Sequence, residues 1–501
     1  MVFASPIFLF CFLPLVLCLA FVTPSRLRNL VLLLVSLVFY AWGETKFLPL
    51  VLGLVVINWI FGLLIDATES DRRRKFIVTC SVVVTMSALI IFKYADFVVD
   101  NFNVALSTVG ISPLAQPHIA LPLGISFFSF HLLSYVIDIY RGVAKSQRNP
   151  IDFGLYITFF PQLIAGPIIR YHDVQDQLTK RIVTSEKIAS GLERFVLGMT
   201  KKIVVANPLG QVADRIFVLS SDDLSTTVAW LGLACYAFQL YFDFSGYSDI
   251  AIGLGRIFGF EYLENFNYPF VSRSISEFWR RWHISLSNWF RDYLYLPLVM
   301  HAARKNPQEK WLAKDQFDDK LQLATVFLLC GIWHGASWTF VVWGGIHGIF
   351  LALERGRFGD IVRGLPAPFA HIYVLAVILS AWVFFRADTL THAFAFLHAM
   401  VGHSGSTSEI WPVAAFVDRR VWILLFVSVI GATPAFSWLA RDWRQRAAQS
   451  FGQIGANPAD RSAGVEAILR MVRPPILLAM FVLSACFIAG ETYNPFIYFR
   501  F

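Results

Sequence analysis

Residues 321–353, LQLATVFLLCGIWHGASWTFVVWGGIHGIFLAL, decide how this chain is read. The segment is apolar from end to end, with Lys320 before it and Arg355, Arg357 and Arg363 after it. Such a run belongs in a bilayer. As one helix Leu321–Leu353 would be about 50 Å long, too long for a single untilted pass across a ~30 Å core. The alternative is entry and return, with the turn near Gly335. Measured from Lys320, His334 lies about 21 Å in, beyond the membrane midpoint. An ionisable residue at that depth is a functional-site candidate; the competing reading is a packing histidine bonded to a backbone carbonyl. Gly331 and Gly335, on either side of Trp333 and His334, favour a site, because glycine permits a helix break and the close approach of a substrate. His347 lies about 220° round a continuous helix from His334 and is read as structural.

The rest of the 501-residue chain agrees with a membrane setting. It is 56% hydrophobic and 15% charged, against about 25% charged in soluble domains. The net charge of +8 does not point to nucleic acid, since the basic residues sit in short loops between apolar segments. The cysteines lie within or beside apolar segments and show neither CxxC nor Cys/His ligand spacing, so no disulfide framework and no metal site is expected. Met1–Phe10 carries no basic residue, and Ser5–Val22 reads as a retained first span rather than a cleaved signal.

Further spans are expected at Leu30–Trp42, Phe47–Ile65, Phe76–Phe92, Ala120–Tyr140, Thr226–Tyr247, Ala370–Phe385, Val421–Leu439 and Pro475–Gly490, with a weaker one at Lys201–Leu219. Arg26, Arg28 and Asp71–Lys75 in the cytoplasm place the N-terminus outside. Lys93–Pro117 then reads as an external loop. Tyr156–Arg170, broken by Pro161, Gly166 and Pro167, reads as a buried re-entrant segment, and residues 301–320 and 441–473 as polar connections. The expected fold is all-α: one polytopic membrane domain over 1–501, with roughly ten or more crossings plus re-entrant and interfacial helices.

Two clusters accompany His334. Asp243 and Asp249, with Tyr241, Ser245 and Tyr247, sit at the expected end of a span, where helix capping competes with a substrate-binding role. Ser276–Arg291 packs Trp279, Trp282 and Trp289 with Arg280, Arg281, Arg291 and His283. Trp279, Trp282, Leu286, Trp289 and Tyr293 follow helical spacing, as in an amphipathic helix at the membrane surface. Its alternative role is a lip carrying His283 and Asn288 towards the buried site. No phosphate loop and no nucleophile elbow occurs. A histidine without a Ser or Cys nucleophile suits general-base work on a hydroxyl.

Several motifs together resemble the membrane-bound O-acyltransferase family, and most closely its bacterial polysaccharide branch, that of alginate O-acetylation. They are Phe39–Gly43, Leu121–Phe128 with Ser134–Arg141, Phe159–Pro167, Phe242–Asp249, Phe278–Ser285, Gly331–Gly335 and Asn494–Phe501. His334 matches the signature histidine of the family and His283 its second, more variable position. The resemblance implies a multi-pass protein of the bacterial inner membrane. It would transfer an acetyl group from a cytoplasmic thioester such as acetyl-CoA, with no tightly bound cofactor, towards hydroxyls of an exported polysaccharide such as alginate or cellulose. His334 would act as the base or orient the attacking oxygen, and His283 or nearby N–H donors would hold the oxyanion. Trp333, Trp338, Trp282, Asn288, Asp243 and Tyr247 are the candidate substrate contacts. The expected partners are membrane lipid, a polysaccharide synthase or export complex, and an extracytoplasmic acetyltransferase, because the expected external segments are too short to build a polymer groove. D-alanyl or other acyl transfer to a cell-wall polymer is the alternative, as is a non-enzymatic polysaccharide or lipid transporter; the latter should show repeated halves, and none is seen.

Overall fold

The computed structural model describes residues 1–220, 222–305, 315–403, 411–435, 438, 458–490 and 493. Among them there is no β-strand. The tail motif Asn494–Phe501 and parts of the two polar connections, 306–314 and 441–457, lie outside the described residues.

The chain opens with a π-helical turn and α1 (Leu13–Val22), then α2 (Ser25–Glu44), α3 (Leu48–Ala67) and α4 (Asp71–Thr108). Their outward faces remain apolar, with Leu34, Val38, Val56, Ile90 and Ile91 exposed, as lipid contact requires. Among the described residues, four stretches are long and apolar enough to cross a membrane: Ser25–Ala67 (which holds both α2 and α3), Asp71–Thr108, Ala367–Arg386 and Met471–Gly490. Five shorter apolar helices accompany them. The expectation of a polytopic all-α membrane protein is met.

One boundary moves with consequence. α4 does not end at Phe92 but runs on to Thr108, so most of the expected loop Lys93–Pro117 is helix. After it come α5 (Ile125–Tyr140) and the expected re-entrant segment: α6 (Pro150–Thr158), the single turn α7 (Phe160–Leu163) and irregular backbone, all buried from Asp152 to Ile169. α8 (Tyr171–Thr179) precedes α9 (Ser185–Thr200), which passes through a π-helical stretch, Lys201–Ala206, into α10 (Asn207–Phe217).

α9 packs against α11 (Thr226–Ile257), a 32-residue helix buried over most of its length. Gly191 and Gly198 on α9 face Gly253 and Gly246 on α11. A methyl group on any of the four would strike the opposing backbone. Asp243 and Asp249 therefore do not mark the end of a helix; they lie inside α11. The helix continues because α9 and the π-helical stretch bring cations to both: Lys202 to Asp243, and Arg194 and Lys201 to Asp249.

The expected interfacial helix is two short helices, α12 (Ile275–Arg281) and α13 (Ile284–Phe290), broken at Trp282–His283. His283 has φ +45°, a left-handed conformation that a non-glycine residue adopts only under local constraint. Trp279, Trp282 and Trp289 are buried rather than facing lipid headgroups. α14 (Leu296–Lys305) leads to α15 (Asp315–His334) and α16 (Trp338–Glu354), followed by α17 (Arg357–Gly364), α18 (Ala367–Arg386), α19 (Leu390–Met400), α20 (Arg419–Gly431) and α21 (Pro458–Gly490). α21 takes in the end of the expected 441–473 connection.

The segment 321–353 does turn back. α15 and α16 form an antiparallel hairpin, and Ser337 caps the return, accepting from the Thr339 N–H. Gly331 and Gly344 face each other where the helices cross, so neither has room for a Cβ. Gly335 lies in the break, yet it is not among the residues with positive φ. It is glycine because the Phe340 ring occupies the place of its Cβ.

Candidate active site

His334 is the last residue of α15. Its Nδ1 lies 2.7 Å from the Cys330 carbonyl one turn back. A carbonyl only accepts, so Nδ1 carries the hydrogen, and a neutral imidazole then keeps its lone pair on Nε2. The ring is buried, with Trp333, Trp343 and Phe385 centred 4.7, 4.6 and 5.5 Å away. The Cys330 thiol is 3.7 Å from Nδ1. That nitrogen already holds a proton for the carbonyl, so it cannot act as base towards the thiol. Cys330 is no activated nucleophile.

His283 is held similarly. Its Nδ1 is 3.2 Å from Asn265 Oδ1, which also accepts the Ser285 N–H at 3.1 Å and the Ser285 hydroxyl at 2.9 Å. A backbone N–H only donates, so it fixes which end of the Asn265 amide faces the ring. His283 therefore presents Nε2 with a lone pair, buried and without a hydrogen-bond partner. It offers no N–H to an oxyanion, so the donor role expected of His283 falls to other groups. Trp333 and Trp343, whose rings pack on His334, carry indole N–H groups that are buried without a partner.

His347 was placed away from the site on the premise of one continuous helix. The turn at Gly335 removes that premise. His347 lies 5.1 Å from Trp343, which itself contacts His334. Its Nδ1 accepts from Trp279 Nε1 at 3.3 Å, so it holds the opposite tautomer to His334.

Two cavities meet α15 at different levels. One, of about 340 Å³, is lined by Lys93, Gly124, Ser126, Trp333 and His334, with Glu44 also on its wall. The other, of about 480 Å³, is lined by Trp279, Arg280, Asn288, Arg291, Cys330 and Arg355. The arginine cavity touches α15 from Leu323 to Cys330, and the Lys93 cavity touches it at Trp333 and His334. A cavity carrying basic side chains on a largely apolar wall thus meets α15 on each side of its last turn.

The remaining candidates divide. Trp333 lines the Lys93 cavity and stacks on Phe130 at 5.0 Å; Asn288 lines the arginine cavity. Trp282 is buried among Phe266, Phe278 and Trp382, next to His283 in the chain but in neither cavity lining. Trp338 is 54% exposed and donates to Asn101 on α4 at 2.9 Å. Asp243 is taken by Lys202, and Tyr247 stacks on Phe3 at 4.9 Å, so both belong to the α9–α11 scaffold.

Sequence reasoning missed Lys93, Tyr94, Asn265 and Trp343. For the first two a signal existed, since Phe97, Val98, Phe102 and Val104 continue a helical apolar pattern past the charge.

Comparison with known proteins agrees with the motifs. The model of the MBOAT, membrane-bound O-acyltransferase, family matches residues 105–385. Over the whole of both chains the sequence is 39% identical to the probable alginate O-acetylase AlgI of Azotobacter vinelandii and 40% identical to that of Pseudomonas putida. It is 35% identical to the peptidoglycan O-acetyltransferase of Helicobacter pylori over 87% of each chain.

Proposed function

The chain belongs to the membrane-bound O-acyltransferase family, and on that premise we propose that it is a membrane O-acetyltransferase acting in the O-acetylation of an exported polysaccharide. The observation that carries this is His334: a buried imidazole with its Nε2 lone pair fixed, lining one cavity one turn away from Cys330, where a second cavity meets the same helix.

The positive-inside bias gives the cavities their sides. With Arg72–Lys75 in the cytoplasm, Lys93 is about 30 Å up α4, near the outer surface. The Lys93 cavity then opens outwards and the arginine cavity inwards. Arg280, Arg291 and Arg355 suit the phosphates of acetyl-CoA, since guanidinium groups form forked, charge-assisted hydrogen bonds with phosphate oxygens. Its acetyl thioester would reach towards Cys330 and His334. A hydroxyl in the outer cavity gives its proton to His334 Nε2 as its oxygen attacks the thioester carbonyl. The indole N–H groups of Trp333 and Trp343, buried beside His334 without a partner, would stabilise the oxyanion. The C–S bond then breaks, the thiolate takes up the proton, and the acetyl ester leaves outwards.

The hydroxyl belongs to an extracytoplasmic partner protein that completes transfer to the polymer. The outer cavity, at about 340 Å³, is too small to hold an extended run of sugars. The H. pylori relative keeps peptidoglycan beside alginate and cellulose as acceptor polymers to compare. The test is radiolabelled acetyl-CoA supplied to purified protein with partner and polymer: label should pass to the acceptor with wild type and not with His334→Ala. Transfer by His334→Ala equal to wild type would overturn the assignment.

A further inference from the structure

The helix that carries His334 ends inside the protein, and its last four carbonyls must find donors there. The Gly335 N–H takes the Gly331 carbonyl, at 3.4 Å. The next three go to two consecutive residues of a different helix. Tyr94 donates its hydroxyl to Ile332 O at 2.6 Å, and Lys93 donates to Trp333 O and, at 3.1 Å, to His334 O. One and two turns further along α4, Phe97 packs on Trp338 and Asn101 accepts the Trp338 indole N–H, so α4 also grips the first residue after the break.

The geometry points to Lys93 and Tyr94 as a clamp that positions His334 for acyl transfer. Three features separate this from ordinary packing. First, the usual device for ending a helix, a left-handed glycine whose neighbours cap the carbonyls, is absent at Gly335, so α4 supplies what the break lacks. Second, the ammonium is not paired with a carboxylate: its partners are two carbonyls and, at 3.2 Å, Ser126 Oγ at the start of α5. Its three N–H bonds match those three acceptors, leaving none for substrate, which makes Lys93 a positioning residue rather than a substrate ligand. Third, His334 folds its imidazole back onto Cys330 O of the same turn. Whatever fixes that turn fixes the direction of Nε2. Lys93 also lines the cavity into which His334 faces, so the clamp and the base share a wall.

The inference rests on the acyltransfer reading for its kinetic arm and not for its structural arm. Full-length Lys93→Met, Lys93→Arg and Tyr94→Phe are compared with wild type in one membrane preparation, by acetyl-CoA turnover and by hydrogen exchange of the peptide covering 331–340. Lys93→Met should lower kcat about 10²-fold, the scale of a misplaced catalytic group, with KM for acetyl-CoA unchanged and faster exchange at 335–340. Lys93→Arg should recover most of the rate, and Tyr94→Phe should lose less than Lys93→Met. If Lys93→Met does not accumulate, Tyr94→Phe against wild type decides by the same two readings. Unchanged exchange in these variants would overturn the clamp. Faster exchange with unchanged kcat would overturn its role in positioning. A wild type without acetyl transfer would instead defeat the functional reading and leave the exchange result to judge the clamp.

Discussion

Two lysines, Lys202 buried and Lys93 half-buried, sit in two helix pairings of similar construction. In the α9–α11 scaffold, helices cross on facing glycines and Lys202, wholly buried, meets the Asp243 carboxylate. Around the α15–α16 hairpin, helices again cross on facing glycines, but among the described residues Lys93 meets carbonyls, a hydroxyl and the Trp333 ring and no carboxylate, and buried imidazole and indole nitrogens nearby have no partner. The scaffold neutralises its charge and leaves only neutral oxygens such as Gln239 Oε1 and Ser245 Oγ unmatched; around the hairpin it is ring nitrogens of histidine and tryptophan that are unmatched. Buried polar atoms are nearly always hydrogen-bonded. A concentration of unmatched ones, beside two cavities, marks where a polar guest belongs.

The contrast is most sharply tested at its extremes. His334→Ala should abolish acetylation, a loss of at least the ~10²–10⁴-fold that a positioned base contributes, while the protein accumulates as wild type does. Equal loss of protein level would make His334 part of the scaffold instead. Lys202→Met should do the reverse. It takes the ammonium from Asp243, and breaking a buried pair from one side costs about 3–5 kcal/mol, so the protein should accumulate less. Replacing both, Lys202→Met with Asp243→Leu, should restore much of the level; no recovery would mean that the pair matters for more than its charge balance.

Smaller effects sharpen the division within the site. His283→Asn should lose less activity than His334→Asn in the same preparation, because His334 faces a cavity while His283 Nε2 is enclosed. The opposite order would exchange their roles. Cys330→Ser should retain substantial turnover and form no acyl-enzyme. A trapped acetyl thioester on Cys330 would show that the protein passes the acyl group through a covalent step.

Much of this was legible in the chain itself. The return near Gly335 was one of the readings that length allowed, since 321–353 exceeds one untilted pass and Gly331 and Gly335 permit a break. Pro161, Gly166 and Pro167 exposed the buried irregular segment, because those residues cannot continue a membrane helix. The motifs around His334 and His283 identified the family. The errors share a cause: charge was read as a boundary. Lys93 looked like the start of a loop and Asp243 like the end of a span, yet each is neutralised or solvated by residues far away in sequence, at Trp333–His334 and at Lys202. Helical spacing across Ser276–Arg291 concealed the break at His283. Nothing local marks it, because the chain is turned there by Asn265, whose side chain and backbone bind the first N–H groups of α13.

The central claim is that His334 hands an acetyl group from an inward-facing donor to an outward-facing acceptor. Proteoliposomes loaded with radiolabelled acetyl-CoA, with polymer and the extracytoplasmic partner outside, test it most directly. The account predicts labelled polymer outside, dependent on the partner and lost with His334→Ala. Labelling only when acetyl-CoA is added on the polymer side, or efficient labelling by this chain without a partner, would contradict it.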